Sequence, residues 1–224
     1  GERMDPESVL MMMLIRANSL AKGVSGVRPL VVDLILGMVN SRIAPIIPRI
    51  GSLGASGDLA PLSHMTMGMM GEGECVVEVD GEWVSKDARV ALEDAGLNPI
   101  SLQAKEGLSL INGTSQMCAY LTQTLLNMEA LILAADASVA CSIEAIKGSH
   151  KPFDRRIHDS RPQVGQSISA ARIFELLSES EIAISHEDCD RVQDAYSFRC
   201  SPQVHGPVID ILRETRRILE IEVN

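Results

Sequence analysis

Ala55-Ser56-Gly57, within the run Gly51-Ser52-Leu53-Gly54-Ala55-Ser56-Gly57-Asp58-Leu59-Ala60-Pro61, is a tripeptide whose own atoms can be turned into an electrophile. Ring closure requires the Gly57 amide nitrogen to attack the Ala55 carbonyl carbon, an approach that a side chain on residue 57 would obstruct and glycine permits. Loss of one water from the ring and a second from the Ser56 side chain leaves an exocyclic methylidene conjugated with an imidazolone. No ordinary side chain offers such a Michael acceptor. Spacing alone leaves two other readings open. One is a glycine-rich turn entering a helix, with Asp or Ser as N-cap and Pro61 in the first turn. The other is a phosphate cradle, although the loop lacks a Gly-Lys-Ser/Thr ending and no βαβ alternation surrounds it.

A second cluster, Gln193-Asp194-Ala195-Tyr196-Ser197-Phe198-Arg199, spaces Gln193, Tyr196 and Arg199 three residues apart. On a helix they would share one face. Arg199 can hold a carboxylate in a two-pronged ion pair, and Tyr196 can exchange a proton near a developing charge. The plainer alternative is an Arg paired with a surface acid beside a half-buried Tyr. Asn112, in Ile-Asn-Gly-Thr before a long helical pattern, suits a turn or cap equally well. His186, Asp188 and Cys189 match no zinc spacing, and His64, His150, His158 and His205 stand apart, so no metal site is expected.

These residues need a scaffold, and the periodicity predicts a mainly α one. Asp5-Pro6-Glu7 starts a helix to about Ala21, and Pro29 opens a second through Val39. A short helix is expected over 61–70, and a hairpin over 75–84 around Asp80-Gly81. Ser85 is read as capping a helix to Ala95, with Gly96 following. The longest pattern spans 114–146. Residues 148–166 read as loop, 168–177 as helix, 178–194 as a polar stretch and 207–221 as an amphipathic helix. With no repeat or flexible linker, residues 1–224 read as a single helical unit.

Composition agrees. The 224 residues are 46% hydrophobic, with eleven Met but only three Phe, two Tyr and one Trp, which suits an aliphatic, methionine-rich helical core. A formal charge of −10, with scattered cations, argues against a nucleic-acid partner. Five cysteines without Cys-x-x-Cys suit a reduced, cytoplasmic protein. The apolar runs 30–39 and 131–146 are broken by Asp33, Asp136 and Glu144 and read as too short for a bilayer, so no membrane partner is expected. The start at Gly1-Glu2-Arg3 reads as a cut, tag scar or fragment boundary.

Taken together and in order, the motifs resemble the histidine ammonia-lyase branch of the aromatic amino acid ammonia-lyases. The matching stretches are 51–62, Lys105-Glu106-Gly107-Leu108 with Asn112-Gly113-Thr114, residues 193–200 with Pro202-Gln203-Val204, and residues 17–28. The resemblance covers essentially the whole chain. It implies a long-helix bundle with one small hairpin, a homotetramer with shared active sites, and a methylidene-imidazolone made autocatalytically from Ala55, Ser56 and Gly57. The implied reaction is non-oxidative loss of ammonia from an amino acid, giving urocanate if the substrate is L-histidine. It also implies roles: Asn112 beside the prosthetic group, Tyr196 shaping the reacting centre, Arg199 gripping the carboxylate, Gln193 hydrogen-bonding nearby, and Asp58 following the cyclising tripeptide.

The family's members are more than twice this length. By resemblance the chain is their central portion, without the loop that carries the Tyr assigned as catalytic base and without the later helices that carry an active-site Glu. Tyr120 and Tyr196 are the only tyrosines here, and neither fills that base position. Phenylalanine or tyrosine lyases, aminomutases, and a silent helical assembly module are the competing readings.

Overall fold

The structure is a computed structural model that describes residues 1–186 and 189–224. It is mainly α-helical, with one small antiparallel sheet. The described residues fall into two compact units. The first comprises residues 1–123 with 219–224, and the second comprises 124–218. The sequence reads as one unit because the division falls inside two uninterrupted helices, α6 (Ser115–Ala145) and α11 (Ser201–Val223).

In the first unit, α1 (Pro6–Ala21) starts where expected, with the Asp5 carboxylate accepting from the Ser8 N–H at 3.0 Å and proline in the first turn. It packs on α2 (Pro29–Asn40). Met12, Met13, Leu20, Ile35, Met38, Leu62, Met65 and Met69 are fully buried, so unbranched methionine fills much of this core. The expected hairpin is present as β2 (Glu74–Val79) and β3 (Glu82–Asp87), and Asp80 and Gly81 both take positive φ, as a two-residue primed turn needs. A third strand, β1 (Ile43–Pro45), pairs with β2 in the register Ile43 to Val77. Three residues ending in proline carry no alternation to read. The α4 helix (Ala88–Asp94) is capped by Asp87, not Ser85, which lies within β3. The Asp87 carboxylate takes the Arg89 N–H at 2.9 Å. Two helices frame the tripeptide loop: α3 (Leu59–Met69) follows it, and α5 (Glu106–Ile111) precedes Asn112.

In the second unit the stretch expected to be loop contains α7 (Arg155–Asp159), and α8 (Val164–Leu177) begins earlier than its apolar stripe. The Gly165 N–H donates to Asp210 Oδ1 at 2.9 Å, so a carboxylate on α11 holds the start of α8. A Cβ on Gly206 would meet the Gln166 backbone nitrogen at 2.5 Å and one on Gly165 would collide with the Gly206 carbonyl, so α8 and α11 cross closely at two glycines. Ile143, Phe153, Ile173 and Leu177 form the core. Asp136, fully buried, accepts from Ser169 Oγ at 2.6 Å and pairs with His205 Nδ1 at 2.8 Å, which ties α6, α8 and α11 together. Two short helices, α9 (Glu181–Ile184) and α10 (Tyr196–Arg199), follow α8. By length and composition alone the stretch Glu106–Ala145, which includes α6, is long and apolar enough to cross a bilayer, a longer apolar segment than the 131–146 run read from the sequence.

Candidate active site

The Ala-Ser-Gly segment is an exposed loop, with Ala55 and Ser56 at the surface and Asp58 beneath them at 0% exposure. Asp58 fixes the loop from below. Its carboxylate accepts from Ser52 Oγ at 2.7 Å and from the backbone N–H groups of Gln116 and Met117 at 2.8 and 3.0 Å. The last two belong to the first turn of α6, so a negative charge sits at the positive end of a 31-residue helix. Asp58 also precedes α3 without capping it through its side chain. Asp58 thus occupies the N-cap position of α3, with Pro61 in that helix's first turn as the turn-and-cap reading expects, while its side chain caps α6 instead.

Glycine is required at residue 57. Its φ is +116°, and a Cβ there would lie 2.7 Å from the Gly113 carbonyl oxygen. The Asp58 N–H donates to that same carbonyl at 2.7 Å. The tripeptide loop and the Asn112-Gly113 turn are thus in direct contact, and Asn112 itself is exposed beside the loop's anchor. Gly54, at φ +68°, faces Met117, whose sulfur would lie 3.2 Å from a Cβ.

Two groups near the turn were not singled out in the sequence. Glu106 is buried and receives Arg28 through Nε and Nη2, each at 2.8 Å, together with the N–H groups of Gln103 and Arg28. The Arg28 guanidinium, aided by those N–H donors and opposed by burial, holds its carboxyl down at about 2. Arg16, only 6% exposed, donates to the carbonyls of Ser109 and Asn112, the latter at 3.0 Å. Tyr120 lies on α6 and packs against the first unit's core.

In the second unit, Tyr196 and Arg199 sit together on α10, with the Arg199 guanidinium 5.6 Å from the Tyr196 ring centroid. Gln193 does not share their helical face. Ala195 is extended (φ −58°, ψ 142°), so the helix begins only at Tyr196. Gln193 and Arg199 instead line one cleft of about 340 Å³ with Ser149, Lys151, Pro152 and Gln203. Asp194 organises its wall: one carboxylate oxygen accepts the Ser149 N–H at 2.6 Å, and its carbonyl accepts from Arg199 Nε at 2.9 Å. Tyr196 is 72% exposed. Among the described residues no His, Cys, Asp or Glu group could hold a metal ion. Asp188 of the weighed His186-Asp188-Cys189 set lies outside those residues.

The sequence profile of the aromatic amino acid lyases matches residues 1–224. The chain belongs to that family. A histidine ammonia-lyase of Aliivibrio fischeri is 48% identical over 225 residues, covering 100% of this chain and 43% of that protein. One from Stigmatella aurantiaca is 49% identical over 213 residues, covering 95% of this chain and 41% of its own. The crystal structure of histidine ammonia-lyase from Trypanosoma cruzi superposes with a TM-score of 0.86 at 37% identity, over 100% of this chain and 40% of that one. Phenylalanine ammonia-lyase from Rhodosporidium toruloides gives 0.90 at 33%, over 99% and 33%. The chain thus spans well under half the length of these aromatic amino acid lyases.

Proposed function

We propose that the protein containing this chain is an ammonia-lyase that converts L-histidine to urocanate and ammonia, with Ala55, Ser56 and Gly57 as the source of a methylidene-imidazolone. The observation that carries the reading is the contact of the Gly57 loop with the Asn112-Gly113 turn over a buried Asp58. The residues fit the group: residue 57 has no room for a side chain, and the tripeptide is exposed above an anchored aspartate. The relatives near 48% identity are histidine lyases, which supports histidine over the bulkier aromatic substrates.

Cyclisation forms the bond from Gly57 nitrogen to Ala55 carbon. The Ala55 oxygen leaves as water with the amide protons of Gly57 and Ser56, and Ser56 Oγ leaves as water with its own proton and the Ser56 α-proton. Once formed, the group supplies an electrophilic carbon to activate a poor amine leaving group. This chain's residues do the rest of their work by placement. Asp58 and the Gly113 carbonyl hold the loop, and Asn112 lies beside it. Arg199, its Nε held by Asp194, presents its remaining N–H groups to the substrate carboxylate. Tyr196 stacks on that guanidinium, and Gln193 lines the same cleft. The net reaction breaks the Cα–N bond, gives the β-proton to a base and forms a carbon–carbon double bond. We assign the working form to a cytoplasmic homotetramer with shared sites. Steady-state assay of the full-length protein with L-histidine, L-phenylalanine and L-tyrosine tests this. Urocanate from histidine supports it, while β-amino acids from the other two would favour an aminomutase.

A further inference from the structure

Gly113 is a glycine for a reason its backbone does not supply. Its φ lies outside the positive region, so an alanine there would be conformationally ordinary. A Cβ at 113 would instead collide with Nη1 of Arg16 and approach Cζ at 2.9 Å. The guanidinium fills the space that a side chain would take. Arg16 comes from α1, is 6% exposed, and has no carboxylate within ion-pairing distance among the described residues. Its Nε has no hydrogen-bond partner among them either. A buried cation without an acid is costly and calls for explanation. Its partners are carbonyls: Nη2 donates to Ser109 O, on α5, and to Asn112 O at 3.0 Å. The negative end of α5 therefore receives a positive charge, and the turn after it is clamped from below. From that turn the Gly113 carbonyl takes the Asp58 N–H and lies against Gly57.

We infer that Arg16 is a positioning residue for maturation of the tripeptide, acting through the Asn112-Gly113 turn that forms the floor under Gly57 and Asp58. This rests on the cyclisation reading above. The Gly57 nitrogen must stay aligned with the Ala55 carbon, and alignment losses of about 1 Å can cost on the order of a hundredfold in rate. Releasing the turn removes the stop behind Gly57 and leaves cyclisation to chance encounters in an exposed loop.

The test follows the two-water mass loss by intact mass spectrometry during cell-free synthesis of the full-length protein, with circular dichroism and thermal melts of the purified variants. Arg16→Met, Arg16→Lys, Gly113→Ala and the Arg16→Met/Gly113→Ala double variant are compared with wild type. With helicity retained, Arg16→Met and Gly113→Ala should each mature about tenfold or more slowly. Arg16→Lys should recover part of the rate, since an ammonium still reaches one carbonyl. The double variant should be no slower than either single one, because both break the same contact. Wild-type maturation rates in both single variants, or slowing only in proportion to lost helicity, would overturn the inference and leave the lyase reading intact. Absence of any mass loss in wild type would overturn the cyclisation reading itself, and this inference with it.

Discussion

The backbone N–H of Asp58 donates to the carbonyl of Gly113 at 2.7 Å, across 55 residues of sequence, and the Asp58 carboxylate then closes onto the first turn of α6. One residue thus fixes the reactive loop, the Asn112 turn and the longest helix. Asp58→Ala is expected to destabilise the protein by about 2 kcal/mol or more, since it removes a helix cap and leaves the Ser52 hydroxyl and two N–H groups without their acceptor. Asp58→Asn keeps an acceptor oxygen and should cost less. Urea unfolding measures both, and a loss below about 0.5 kcal/mol for the alanine variant would mean the cap carries no weight.

Ser56→Ala removes only the hydroxyl that must leave as the second water. Because Ser56 is exposed, the variant should keep its helical content and melting temperature while losing deamination entirely. Turnover near the wild-type rate would show that Ser56 is not a precursor of the electrophile.

Much of this arrangement was legible in the sequence, and the misses have physical causes. The tripeptide is readable as a possible electrophile from its own atoms, whereas Asn112, Tyr196 and Arg199 each suit an ordinary cap or surface role by spacing and take their site roles only from the family resemblance. The start of α1 was readable because Asp5 and Pro6 act on local hydrogen bonds. Arg16 was not, since an Arg in a helix pattern reads as a solvated side chain until α5 and residue 113 close over it. Gln193 was misplaced because three-residue spacing implies a shared face only if the helix already runs, and Ala195 delays it. The β1 strand is made by its partner β2, not by its own three residues. Asp87 displaced Ser85 as a cap because the hairpin extends through Asp87 before α4 begins.

Arg199→Lys keeps the charge but not the fork. It should raise KM for histidine about tenfold or more with a smaller effect on kcat, and it should also weaken the contact to the Asp194 carbonyl. An unchanged KM would assign Arg199 to holding the loop alone.

Glu106 makes a pH prediction. Its carboxyl is held at about 2 when folded, below the value of about 4.3 for an unfolded chain, so the contact adds stability above that unfolded value. That contribution drains away as pH falls from about 5 toward 2. Glu106→Gln should therefore be clearly less stable than wild type at pH 7, and the gap between their urea midpoints should shrink steadily at pH 4 and pH 3. A gap that does not change with pH would show that the Arg28 pair does not carry it.

The most direct measurement is the intact mass of the full-length protein under denaturing conditions, with fragmentation across residues 51–61. The account predicts a deficit of two water molecules confined to Ala55-Ser56-Gly57. A mass equal to that of the unmodified sequence, in protein that still deaminates histidine, would contradict it.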